Sequence, residues 1–153
     1  MPKKSAGLLL YRLRNKFLEV LLIHPGGPFW AKKDEGAWSI PKGEFDDDES
    51  PIDAAIRETH EELGIKVKGD FRELNPVKLK SGKMVYAFAV EHDFDPLKLK
   101  CNSFEMEWPP KSGKMQSFPE ADKAEWFSVA VANEKINSGQ KPFLTQLVNE
   151  IDL

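Results

Sequence analysis

Cys101 is the only cysteine among the 153 residues. One thiol cannot close an intramolecular disulfide or build a cysteine zinc cluster, and such usage suits a reducing compartment. No apolar run approaches the roughly 20 residues of a membrane-spanning helix. The start, MPKKSAGLLLYRLR, is basic, but GLLLY is too short for a secretion-signal core, and Arg12 and Arg14 follow at once. There is no internal repeat and no linker-like stretch. Charge of neither sign dominates: 22 Lys and Arg stand against 25 Asp and Glu, for a net −3. That balance gives no field to draw the chain onto nucleic acid or an anionic membrane. With 41% apolar residues to form a core, the expectation is one soluble, cytoplasmic domain over residues 1–153.

Residues 5–14 (SAGLLLYRLR) and 17–25 (FLEVLLIHP) read as strands joined by a turn at Asn15-Lys16. The glycine-rich stretch 26–36 reads as a loop, and 37–41 (AWSIP) as a short strand ended by Pro41. Two or three further strands are expected over 66–94, with a turn at 81–83, and another over 102–110 that stops at a double proline. Residues 111–126 read as a loop leading into a strand at 125–129, and helices are expected over 129–137 and 142–151. This order does not alternate strand and helix, so the expected class is α+β, a mixed sheet with helices on its faces.

Gly43 to Ile65, GEFDDDESPIDAAIRETHEELGI, holds nine carboxylates and one arginine. Ser50-Pro51 is a helix start and Gly64 a natural stop. On a helical wheel Ile52, Ala55, Ile56, Thr59 and Leu63 form one apolar stripe. Glu58, Glu61 and Glu62 form another, with Ala54 on their side, leaving room in front of them. Like charges at these spacings cost about 0.2–0.5 kcal/mol per pair. Glu61 and Glu62 also oppose the helix dipole in the last turn. No lysine on that stripe compensates. A solvated polar face explains acidity but not this placement, whereas a divalent cation among hard oxygen ligands does.

The segment resembles the Nudix box, G-x5-E-x7-R-E-U-x-E-E-x-G-U, where U is a bulky aliphatic residue. Gly43, Glu49, Arg57, Glu58, Glu61, Glu62, Gly64 and Ile65 match in register, and Thr59 departs at the first U position. The departure falls on the buried stripe and concerns packing. The resemblance implies the Nudix fold, an α/β/α sandwich with a mixed sheet. It implies hydrolysis of a nucleoside diphosphate linked to another group, dependent on Mg²⁺ or Mn²⁺. It makes Glu58, Glu61 and Glu62 metal ligands, with the backbone carbonyl of Lys42 beside them. It pairs Arg57 with Glu49 to orient Glu58. Asp46, Asp47 and Asp48 fall at variable positions and read as solvated loop acids.

Two assignments of the general base stay open. Glu58 is one, and Glu120, in FPEADKAEWF, resembles the loop glutamate of diadenosine-tetraphosphate hydrolases in the same superfamily. Glu120 also reads as an ordinary loop acid, and Glu105 and Glu107 are rivals for the role. SAGLLLYR and WSIPKGE resemble the diadenosine-tetraphosphate and diphosphoinositol-polyphosphate branch. Lys32, Lys33 and Lys42 are candidates for phosphate contacts, and Trp30, Trp38 and Trp108 for stacking on a base. Solvated lysines and core tryptophans are the plainer readings of these residues. His24 and His60 lack the company of metal ligands and read as structural or exposed. The expected substrate is a small nucleotide, a dinucleoside polyphosphate first. A housecleaning nucleoside-triphosphate pyrophosphatase is the alternative, and a non-catalytic nucleotide sensor, which would typically lose box carboxylates, comes after it.

Overall fold

The central strand, β1 (Lys4–Arg14), is buried continuously from Ser5 to Tyr11. Both of its faces are covered, which is why its sequence runs apolar instead of alternating. Asn15 and Lys16 take left-handed conformations (φ 51° and 68°), as the tight turns between twisted strands require. They lead into β2 (Phe17–Pro25), antiparallel to β1 with Tyr11 opposite Val20. The computed structural model describes residues 3–151, and the ends of the expected 1–153 domain lie outside them.

The expected strand at 37–41 carries only isolated bridges, Ile23 to Ser39 and Trp38 to Ile136. Pro41 has no N–H for a ladder, although its carbonyl accepts from the Leu8 amide at 3.2 Å. The third strand, β3 (Lys42–Phe45), begins just after it and pairs antiparallel with the first half of β1, Gly7 opposite Lys42. Helix α1 (Pro51–Leu63) follows, then β4 (Arg72–Glu73), β5 (Val77–Lys78) and β6 (Met84–Glu91). β6 runs parallel to β1, from Lys4 opposite Met84 to Tyr11 opposite Glu91.

β7 (Ser103–Glu107) and β8 (Met115–Pro119) form a separate two-stranded ribbon. Residues 111–126, expected as a loop, therefore contain β8 and much of β9 (Ala121–Ser128), which returns to the main sheet beside β2. β8 is exposed at all but Phe118. It is a strand by cross-strand pairing, without the buried alternation that marks a strand in sequence. Helices α2 (Val129–Lys135) and α3 (Lys141–Glu150) end the described chain.

The path through the main sheet is β4-β6-β1-β2-β9, with β3 on β1 and β5 on β6. Ala6, Leu8 and Leu10 face a core shared with Ala54, Ala55 and Leu63 of α1. Leu9 and Tyr11 face the opposite core, with Trp38, Phe143, Leu144 and Leu147. The architecture is the expected α/β/α sandwich around a mixed sheet.

Candidate active site

Helix α1 starts where the sequence puts it. The Ser50 hydroxyl accepts from the Asp53 amide at 3.3 Å, Pro51 opens the first turn, and Gly64 closes the last (φ 84°) with its N–H on the His60 carbonyl at 2.8 Å. A Cβ on Gly64 would stand 2.7 Å from the Lys100 carbonyl oxygen, so both conformation and space demand glycine. Ala54, Ala55, Thr59 and Leu63 are the buried residues, with Ile52 and Ile56 partly covered beside them. Ala54 does not lie open in front of the acids. It is packed into the core, because the helix face that carries Glu58 and Glu62 turns toward the sheet instead of toward water. The Thr59 hydroxyl is buried without a hydrogen-bond partner.

β3 supplies the floor under that face. A Cβ on Gly43 would sit 2.0 Å from Glu58 Oε2, so the missing side chain is the space that the Glu58 carboxylate occupies. Arg57 then holds the acids from the other side. Its Nε and Nη2 donate to the two oxygens of Glu49, both at 2.9 Å, and its Nη1 donates to Glu58 at 2.7 Å and more loosely to Glu61 at 3.4 Å. A planar guanidinium is suited to such a bidentate grip. The acidic stripe is therefore compensated after all, by Arg57 from within the helix. Glu49 is held below the usual carboxylate range by Arg57.

Glu62 lacks that relief. Its Oε2 is buried with no partner. Burial first, then the charge of Glu58, pushes its carboxyl up to about 8, against the pull of the Lys42 amide and ammonium and with a further push from Glu120. Burial also raises Glu58, opposed by Arg57. The Lys42 side chain is partly buried, and burial, with Lys83 nearby, lowers its pKa.

Glu120 sits where the chain leaves the ribbon for the main sheet. Its N–H donates to the Asn102 carbonyl at 2.9 Å, its own carbonyl accepts from Gly26 at 3.0 Å, and the Asn102 N–H donates to the Glu61 carbonyl at 3.0 Å. These bonds hang the Glu120 loop on the end of α1. Burial raises the Glu120 carboxyl, and Glu61 adds to the rise. Glu120, Glu62, Lys42, Ser39, Asn137 and Gln140 line one cavity of about 250 Å³. A larger cavity of about 460 Å³, between Lys4, Phe45, Asp47 and Tyr86, contains none of the box glutamates, so chemistry and not volume locates the site.

Several expected contacts fall elsewhere. Trp38 is 2% exposed, and its Nε1 donates to Asp34 at 2.8 Å. It is a core residue with no free face for a base, which removes it from substrate binding. Lys32 and Lys33 line neither this cavity nor the aromatic one beside it. Lys33 instead lies over the Phe29 ring. Glu105 is exposed on β7, and Glu107 accepts from the Lys111 amide at 2.7 Å. Asp47 pairs with Lys4, and Asp46 caps the Asp48 amide. His24 is buried between Asp122 and the Lys33 carbonyl, and His60 is exposed.

Sequence reasoning missed Gln140, whose side-chain carbonyl accepts from the Ile40 amide at 3.1 Å while its Nε2 donates to Ser39 at 3.0 Å. Nothing local marks it, since its partners lie about a hundred residues earlier.

The donor set fits a hard cation. Glu58, Glu61 and Glu62 offer only carboxylate oxygens, and one of these is orphaned in a buried place. Among the described residues no three acids already converge on one point, because Glu58 and Glu61 are turned to Arg57.

A helix of acids over a mixed sheet, locked by an arginine fork, defines a class. The family model for the NUDIX domain matches residues 1–147, and the chain belongs to that family, as a pyrophosphohydrolase. It is 32% identical over 108 residues, 62% of this chain and 69% of the relative, to the asymmetrical bis(5'-nucleosyl)-tetraphosphatase of Rattus norvegicus. The fold resembles the C. elegans Ap4A hydrolase in a binary complex, with TM-score 0.64 and 21% identity over 97% of this chain and 96% of that one. It equally resembles the NUDIX domain of Shewanella oneidensis NrtR complexed with ADP ribose, with TM-score 0.63 and 16% identity over 98% and 88% of the two chains. Such likenesses speak for the fold alone.

Proposed function

We propose that this chain hydrolyses dinucleoside polyphosphates, with diadenosine tetraphosphate as the first compound to try, and that it releases ATP and AMP. The observation that carries the reading is the buried Glu62 Oε2, which has no hydrogen-bond partner and lies in the field of Glu58 and Glu120. A lone buried carboxylate is costly unless a cation or a proton relieves it. Glu58, Glu61 and Glu62, with the Lys42 backbone carbonyl, would hold Mg²⁺ or Mn²⁺. When bound, the cation neutralises pyrophosphate charge and acidifies a water. Arg57 and Glu49 orient Glu58. Glu120 accepts the proton of the attacking water from the mouth of the cavity, with Glu58 as the competing base. Lys42 meets phosphate charge inside the cavity. Similarity to the rat bis(5'-nucleosyl)-tetraphosphatase supports this substrate class, and the intact carboxylates speak against a sensor that binds without cleaving.

The test is a substrate panel with products resolved by chromatography. Activity on diadenosine tetraphosphate should vanish with chelator and return with Mg²⁺ or Mn²⁺. Faster turnover of ordinary or oxidised nucleoside triphosphates would move the protein to the housecleaning reading.

A further inference from the structure

Four large side chains, Phe29, Trp30, Phe104 and Met106, belong to neither core. They converge on a second cavity of about 300 Å³, which shares Pro25, Trp30 and Glu120 with the polar one. Phe29 is 61% exposed, a large apolar surface left to water. Phe29 and Trp30 meet edge to face at 5.0 Å, and the Lys33 ammonium stands 3.7 Å from the Phe29 ring centre, which puts a cation at the rim.

The chamber is built, not accidental. Gly26 lies so close to β8 that a Cβ would stand 1.9 Å from the Pro119 carbonyl oxygen. Gly27 (φ 95°) lies under Phe104, where a Cβ would come within 2.9 Å of the ring. The aromatic loop is pinned at both ends. The Gly26 amide donates to the Glu120 carbonyl, and the buried His24 Nε2 donates to the Lys33 carbonyl at 2.5 Å. An aromatic surface held this way suits a flat ring, because little order is lost when the ring docks.

We propose that this chamber is a nucleobase subsite, taking one base of a substrate that has a base at each end. The phosphate chain then crosses at Glu120, the wall common to both cavities, into the carboxylate cleft. Any base offers a π-face, so the chamber selects for a second base without choosing which. The proposal rests on the dinucleotide reading above and specifies how a two-ended substrate is told from a one-ended one.

Diadenosine tetraphosphate and adenosine 5'-tetraphosphate carry four phosphates each and differ by one terminal adenosine. Their dissociation constants should be measured by calorimetry with chelator present, so that nothing turns over. The wild type should bind the dinucleotide about tenfold more tightly, the scale of one aromatic stacking contact. Phe104→Ala should bring the two constants within about twofold of each other, with an unchanged melting point. If that variant does not fold, Phe29→Ala carries the same expectation, since its ring is largely in water. A wild-type ratio near one, or a ratio that survives the substitution, overturns the subsite. Hydrolysis of the dinucleotide with Mg²⁺ is scored separately. A wild type that cleaves it yet shows no ratio overturns the chamber alone. One that shows the ratio but never cleaves overturns the reading of function alone.

Discussion

Replacing Glu62 with glutamine should stabilise the metal-free protein at alkaline pH while removing its activity. The Glu62 carboxyl rises from 4.5 to about 8, through burial first and the neighbouring Glu58 charge second. Between those values the folded chain keeps a proton that the unfolded chain has released. The stability contributed by this group is therefore complete below about pH 4.5 and is lost as pH rises through about 8. At about 1.4 kcal/mol per pH unit, the shift sets a ceiling of roughly 5 kcal/mol on the loss at pH 9. Glutamine has no proton to lose. Wild type and Glu62→Gln should melt together near pH 5 and separate steadily above it. At about 2–4 °C per kcal/mol for a domain of this size, the gap at pH 9 should be on the order of 10 °C. Mg²⁺ should close the gap by stabilising the wild type through mass action, with little effect on the variant. Calorimetric melts across pH 5–9, with chelator and with Mg²⁺, measure all of this. Parallel curves for the two proteins would refute the argument that Glu62 is a buried, unrelieved acid.

Gly43→Ala should displace the Glu58 carboxylate, whose oxygen lies 2.0 Å from the added carbon, and lower kcat by about 100-fold, the cost of a misplacement near 1 Å; steady-state kinetics decide it. Arg57→Lys and Glu49→Gln should each impair kcat, because each breaks the same bidentate grip. The double variant should lose less than the two losses combined, and strict additivity would mean that the residues act separately. Glu120→Gln should lower kcat by about 100-fold with little change in KM, the mark of a group that acts in the transition state. Since burial raises the Glu120 carboxyl, activity should climb with pH through a value above the ordinary carboxylate range, and that limb should vanish in the variant. Unchanged kinetics would return the role of base to Glu58.

The elements legible in sequence were those with local signals. Ser50, Pro51 and Gly64 bound α1 because caps and left-handed stops are matters of a few adjacent residues. Strands β1 and β2 showed as apolar runs with a turn between them. Strand β8 did not show, because its exposed face carries no apolar period and its partner β7 is the only reason it is extended. The same limit governs the site. The spacing of Glu58, Glu61 and Glu62 marks the acids, but a wheel cannot say which way a face turns. Ala54 is a small residue on the acidic side, and only the packing of β1 under it makes that side the inner one. Trp38 and Gln140 depend on contacts with Asp34, Phe127, Ser39 and Ile40, most of them remote in the chain.

What lets the fold tolerate a buried acid is how β1 changes partners. Its early residues pair with β3 and its late residues with β2, so the strands diverge between them. The segment 38–41 fills the gap through Ser39 on β2 and Pro41 on Leu8. Lys42 and Gly43 then stand under α1 at the start of β3, and the polar cavity opens beside them. The helix above is secured by its own apolar contacts. Burial of a side chain such as Leu63 contributes about 1.5–3 kcal/mol, and the smaller Ala54, Ala55 and Ile56 add to it. That exceeds the like-charge terms along α1, each about 0.2–0.5 kcal/mol, and is of the same order as the burden of Glu62. Backbone bonds from Glu61 to Asn102, Glu120 and Gly26 make the far rim follow the helix end. None of these restraints involves the glutamate carboxylates themselves. Substituting the carboxylates should therefore abolish chemistry and leave the frame standing, whereas substituting Gly43 leaves every acid in place and removes the room that Glu58 needs.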